Sequence, residues 1–130
     1  IKKNIMLIIS HRINTIDLLK TTPKNFGVEI DIRSFGEELI VNHDPFVQGE
    51  NLLDWIEFYN HKFLILNVKE EGLEDKLLNL MKLHNINNYF FLDQSFPFLM
   101  KTINLGIKKV ALRLSEYESI DTILNLSGKV

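Results

Sequence analysis

Apolar runs of strand length alternate with stretches of helical spacing about five times along this chain of 130 residues. No other feature constrains the fold as strongly. Two parallel strands cannot be joined by a tight turn, and a helix is the usual crossover between them. The rhythm therefore predicts parallel βαβ units and an α/β fold. Ile5–Ile9 is a continuous apolar run, the pattern of a strand buried on both faces. Ile13–Lys20 places Ile13, Ile16 and Leu19 at helical spacing, with Pro23 beyond its end. Val28–Ile32 alternates, with Val28, Ile30 and Ile32 on one face and Glu29 and Asp31 on the other. Ser34–Glu38 reads as a turn and Leu39–Val41 as a short returning strand, a small hairpin insertion. A helix over Leu52–Tyr59, a strand over Phe63–Val68, an amphipathic helix over Leu73–His84 and a strand over Tyr89–Leu92 follow. Phe98–Leu105 is a helix ended by Gly106, Val110–Leu114 a strand, and Ile120–Leu126 a helix ended by Gly128. Lys129-Val130 would open the next strand. No linker or low-complexity tract divides the chain, so residues 1–130 are expected to form a single domain.

A chain of this length can bury a real core. The net charge of −2 gives no electrostatic ground for binding nucleic acid or an anionic membrane. With no cysteine, a disulfide framework and thiolate metal sites are excluded. No apolar run reaches the roughly 18–20 residues of a transmembrane helix. Ile5–Ile9 after Lys2-Lys3 is too short for a signal peptide. A cytoplasmic protein is the expectation from these features.

Titratable residues gather at the ends of the early strands. Ile9-Ser10-His11-Arg12 closes the first apolar run, Glu29 and Asp31 share one face of the second, and Asn42-His43-Asp44-Pro45 follows the returning strand. Such side chains build a core poorly and an active site well, because several strands can aim them at one point. Two carboxylates on one strand face repel unless a cation or several donors compensate, and oxygen ligands suit Mg²⁺ or Ca²⁺. A solvated strand face is the other reading. Imidazoles suit proton transfer near neutral pH. His61 and His84 read as structural or solvated, and Trp55 and the phenylalanines as core. Arg113 ends a strand, where a ligand contact and a salt bridge are both open.

His11-Arg12, Glu29-x-Asp31 and His43-Asp44 together resemble the glycerophosphodiester phosphodiesterase family, part of a larger group of TIM-barrel phosphodiesterases. Order, spacing and strand placement of all three elements match, and Leu39-Ile40-Val41-Asn42-His43-Asp44 follows the family's apolar run into His-Asp. Asp93-Gln94-Ser95-Phe96 is more weakly similar to a Ser-Phe after the family's fourth strand. The resemblance covers nearly the whole chain, its specific part lying in residues 9–69. There are three departures. Ile13-Asn14-Thr15 follows His11-Arg12 at once, where the family has Gly and a longer loop with Glu-Asn-Thr. The family's Glu-x-Lys on the third strand reads Asn67-Val68-Lys69. About five βα units are present, where the family's barrel has eight.

The resemblance implies a partial (βα)8 TIM barrel, incomplete at its C-terminal side, belonging to a longer protein or covered by another chain at its open edge. It implies a metal-dependent phosphodiester hydrolase acting on a small-molecule, glycerophosphodiester-like substrate. His11 and His43 would do acid-base work, with the roles of the two not assigned. Glu29, Asp31 and, more weakly, Asn67 would hold a divalent cation, Mg²⁺ or Ca²⁺. Arg12 and Lys69 would bind phosphate. Asp44 would orient His43 or cap a turn, and Glu70 could replace the missing carboxylate only if the backbone re-aimed it. Two alternatives stand beside this: a non-catalytic descendant that binds a phosphorylated ligand, and a lyase of the sphingomyelinase D type.

Overall fold

Strand β1 (Ile9–Ser10) leads through helix α1 (Ile16–Thr21) to β2 (Gly27–Phe35), which turns back into β3 (Glu38–Val41) and then β4 (Glu50–Asn51). Helix α2 (Leu52–Ile56), β5 (Phe63–Val68), α3 (Glu74–Leu83), β6 (Tyr89–Leu92), α4 (Phe96–Asn104) and α5 (Ile120–Leu126) complete the order. This computed structural model describes residues 6–113, 116 and 119–130. Over them the chain is a mixed α/β fold on one open, six-stranded mixed sheet.

β2 organises the sheet. One edge pairs parallel with β5 from Gly27–Phe63 to Ile32–Val68. The other edge is shared: Gly27 and Val28 pair parallel with Ile9 and Ser10, while Ile32 to Phe35 pair antiparallel with Val41 to Glu38. Gly36, at φ +61°, makes the tight turn between β2 and β3. β6 extends the parallel part beyond β5, and β4 extends the hairpin beyond β3. Alternation then divides the faces. Val28, Ile30, Ile32, Leu64, Leu66 and Phe91 face the helices and form one core with Leu19, Trp55, Leu77, Met81 and Leu99. Glu29, Asp31 and Asn67 occupy the opposite face and are nevertheless buried, while their apolar neighbours Ile65, Phe90 and Leu92 are half-buried.

Several expected boundaries move. The first strand is Ile9–Ser10, not Ile5–Ile9. Ile5 lies outside the described residues, and Met6, Leu7 and Ile8 are exposed, since β2 is the only strand beside β1 among the described residues. The expected helix over Ile13–Lys20 starts three residues later. Ile13 continues along β2, its N–H donating to Glu29 O at 2.9 Å. Thr15 caps the helix, its Oγ1 accepting from Leu18 N, and Glu50 accepts from Ile16 N at 2.7 Å. β2 runs on to Phe35 because β3 continues its ladder. The helix expected over Leu52–Tyr59 stops at Ile56. That expected over Phe98–Leu105 begins at Phe96. Of the strand expected over Val110–Leu114, the described residues contribute one parallel bridge, Phe91 to Val110, and Leu114 lies outside them. Ser127 to Lys129 form a turn, and Val130 is in no strand. β3 returns antiparallel to β2, as the expected hairpin, and β4 pairs antiparallel with β3, so the sheet is mixed; over the described residues it does not close into a barrel. No helix among the described residues is long and apolar enough to cross a membrane.

Trp55 is core, as expected, with its Nε1–H on Ile13 O at 3.0 Å. The phenylalanines divide: Phe91 is buried, whereas Phe35, Phe46, Phe58 and Phe96 are exposed. His61 is structural, as expected. Its Nε2–H donates to Thr22 O at 2.9 Å, and its buried Nδ1 has no partner. Burial lowers its pKa below the ordinary 6.5. The unfolded chain therefore binds a proton that the folded chain resists. Stability from this group is complete above the unfolded pKa and falls as pH drops through it toward the folded value. His61→Gln keeps an N–H for Thr22 and removes the titration. It is expected to flatten the change in urea midpoint between about pH 7 and pH 5. An unchanged slope would assign that dependence to other groups.

Candidate active site

Between the stretches paired with β1 and β3, the shared edge of β2 is lined by the chain that leaves those strands. The gap spans Glu29 to Asp31. Ile13 N donates to Glu29 O, Asn42 N to Asp31 O at 3.0 Å, and Asp31 N to Asn14 Oδ1 at 3.0 Å. His11, Arg12 and Asn14 arrive from β1 and meet the Glu29 and Asp31 carboxylates, while Asn42-His43-Asp44 arrives from β3 and reaches the site through the Arg12 guanidinium. Gly49 closes the second loop so tightly against Val41 O that a Cβ there would overlap the carbonyl.

Glu29 is the hub. Its Oε2 accepts the Arg12 backbone N–H at 2.8 Å and lies 3.4 Å from His11 Nε2. Its Oε1 accepts from Asn67 Nδ2 at 2.9 Å. Arg12 sits at φ +56°, a region that side chains other than glycine seldom adopt, and the bond to Glu29 holds it there. Its guanidinium reaches over to His43 Nε2 at 2.9 Å. His43 Nδ1 lies 3.1 Å from Asp44 Oδ1, the contact that the first of the two expected roles of Asp44 calls for. Arg33 fixes the same loop, Nε and Nη2 donating to His43 O at 3.0 and 2.8 Å.

Asp31 is the second centre. Asn14 clamps it at two points, Nδ2 donating to Oδ2 at 2.8 Å while Oδ1 takes the Asp31 N–H. Lys69 Nζ stands 3.4 Å from Asp31 Oδ1 and 3.9 Å from Asp93 Oδ2. Asp93, at φ +60°, also accepts from Arg113 at 2.7 Å, so Arg113 makes the salt bridge. Glu70 is turned away onto Ser34, accepting from its N and Oγ, and does not supply the missing carboxylate.

All seven expected residues thus fall in one connected cluster: His11, Arg12, His43, Glu29 and Asn67 around the first hub, Asp31 and Lys69 around the second. Asn14, Arg33 and Asp93 join it without having been singled out in the sequence. Arg33 was available as the next inward position after Glu29 and Asp31. Asp93 follows its strand closely, as Lys69 does.

The donor set bears on a cation. Among the described residues no three His, Cys, Asp or Glu side chains converge on one point, and the third oxygen ligand here is an amide. Yet Asn67 Oδ1 is buried and accepts no hydrogen bond, and Asp31 Oδ1, also buried, faces the Lys69 ammonium at 3.4 Å. These two residues are Cα partners in the parallel ladder and so present their oxygens on one face. A buried acceptor without a donor is costly, and a hard cation would satisfy Asn67 Oδ1. Glu29, Asp31 and Asn67 would be the oxygen ligands of a divalent cation there, with one negative charge fewer than three carboxylates. Comparison with family models, curated proteins and solved structures finds no match to this chain.

Proposed function

We propose that this chain is a divalent-cation-dependent phosphodiester hydrolase of the glycerophosphodiester phosphodiesterase type, acting on a glycerophosphodiester-like substrate. The observation that carries the reading is the gathering of His11 and Arg12 on the buried Glu29 carboxylate, with His43 on the Arg12 guanidinium, beside Asn67 Oδ1, a buried acceptor without a donor. A partial barrel is the matching architecture. The parallel strands β1, β2, β5 and β6 lie side by side in chain order, as barrel strands do; His11, Lys69 and Asp93 directly follow β1, β5 and β6, Asn67 lies near the end of β5, and Glu29 and Asp31 lie in the first and middle parts of β2. The strand order does not reverse, as it would in a doubly wound sheet.

In this mechanism Arg12 and Lys69 hold the phosphoryl oxygens, Arg12 with paired N–H groups and Lys69 as a point charge. One histidine takes the proton of the attacking hydroxyl, and the other gives a proton to the leaving oxygen. Glu29, Asp31 and Asn67 would hold the cation, whose charge supports negative charge that develops on phosphate in the transition state. Asn14 keeps Asp31 aimed, and Arg33 and Asp44 keep His43 in place.

One observation favours a second reading, a non-catalytic module that binds a phosphorylated ligand. An amide stands in the third ligand position, and Lys69 already supplies a positive charge beside Asp31. Hydrolysis of glycerophosphodiesters with Mg²⁺, with Ca²⁺ and with chelator separates the two. Turnover that needs the cation is the expected result. No turnover with either cation, from folded protein that binds neither in calorimetry, would leave the binding module.

A further inference from the structure

A guanidinium has donors and no acceptor, and it stays protonated at any pH a protein tolerates. The 2.9 Å contact of Arg12 Nη2 with His43 Nε2 therefore requires Nε2 to be the acceptor, with its lone pair occupied. The ring proton is then on Nδ1, where Asp44 Oδ1 takes it at 3.1 Å. A doubly protonated ring would turn an N–H against the guanidinium. Two neighbours on opposite sides of one imidazole thus specify the same neutral tautomer. Arg33 holds the His43 carbonyl through two bonds and restrains the loop while they do so.

We propose that Arg12 is a cap on His43. It stores the ring as the Nδ1–H tautomer with Nε2 blocked, and a phosphate-ester anion releases it by drawing the guanidinium onto its own oxygens. The exchange is favourable on bond strength. Arg12 gives up one hydrogen bond to a neutral nitrogen and gains paired bonds in which donor and acceptor are both charged. The Arg12 backbone stays pinned through its N–H on Glu29, so the side chain swings while its root is fixed. The bare Nε2 can then accept a proton. The acid-base group would be available only when substrate is present. Naming the anion as a substrate phosphate rests on the hydrolase reading, whereas the tautomer and the cap do not.

The experiment is long-range ¹⁵N–¹H correlation of the imidazole nitrogens of the full chain, at a pH where His43 is neutral by its own titration. Inorganic phosphate is titrated in, with and without Mg²⁺, against KCl at equal ionic strength. In the wild type, Nδ1 is expected to carry the proton and Nε2 to show the shift of a hydrogen-bonded acceptor. Phosphate should move Nε2 saturably toward the free-acceptor value, and KCl should not. Arg12→Ala should start at the free-acceptor value and stay there. An Nε2–H tautomer, an Nε2 shift that ignores phosphate in both titrations, or an equal response in Arg12→Ala would each overturn the cap. If the cap behaves as described and glycerophosphodiesters are not hydrolysed, the hydrolase reading fails and the cap stands. Hydrolysis with no Nε2 response has the opposite meaning.

Discussion

Asn67→Glu is expected to make the stability of the fold depend on a divalent cation. Asn67 is 4% exposed and donates its Nδ2–H to Glu29 Oε1, across the ladder from Asp31. Glutamate at this position removes that donor and adds a third carboxylate to a buried face that already holds two. An uncompensated buried charge costs about 3–5 kcal/mol, so in chelator the urea midpoint should fall by that equivalent. Mg²⁺ or Ca²⁺ should restore it, because a ligand that binds only the folded chain stabilises it by about 2.7 kcal/mol at a hundred times its dissociation constant. The wild type should respond in the same direction and more weakly, having one negative charge fewer. A variant whose midpoint ignores both cations would remove Glu29, Asp31 and position 67 from any metal site, and with them the metal-dependent mechanism.

The same three residues indicate what could be read in the chain beforehand. Period-two alternation places Glu29 and Asp31 on one face whatever their partners are, and β5 needs only its apolar run, so the central pair of strands was legible. The burial of those carboxylates was not. It depends on Arg12, past the end of the first strand, and Asn14, in a segment whose spacing suggests helix, folding over them. Thr15 and Glu50 decide where that helix starts, and Glu50 comes from a two-residue strand too short for any periodicity. The first apolar run reads as a buried strand because hydrophobicity cannot register a missing neighbour. Asp93 was hidden for a different reason. Its left-handed backbone sets the direction of the side chain, and composition does not encode that turn. What stayed invisible is long-range: Arg33 on the His43 carbonyl, Glu70 drawn to Ser34, and the Asn67 oxygen left without a donor.

His11→Ala and His43→Ala should each lower turnover of a glycerophosphodiester about 10²- to 10⁴-fold, the usual range for loss of a positioned acid or base. Both side chains are well exposed, at 69% and 41%, so their truncation should leave stability within about 0.5 kcal/mol of the wild type. Lys69→Ala is a different kind of change, because it strips the ammonium from a carboxylate that is 1% exposed and would confuse a folding defect with a chemical one. The decisive variant is the double. If one histidine accepts a proton and the other donates one in a single concerted displacement, removing the second after the first costs little more, since the partnership is already broken. The double variant should then fall close to the worse of the two singles. Fully multiplicative losses would mean that the histidines act in separate steps, and wild-type turnover in both singles would end the acid-base assignment. Strong sub-additivity together with unchanged urea midpoints would tie His11, from the end of β1, and His43, from the end of β3, to the same reacting phosphate.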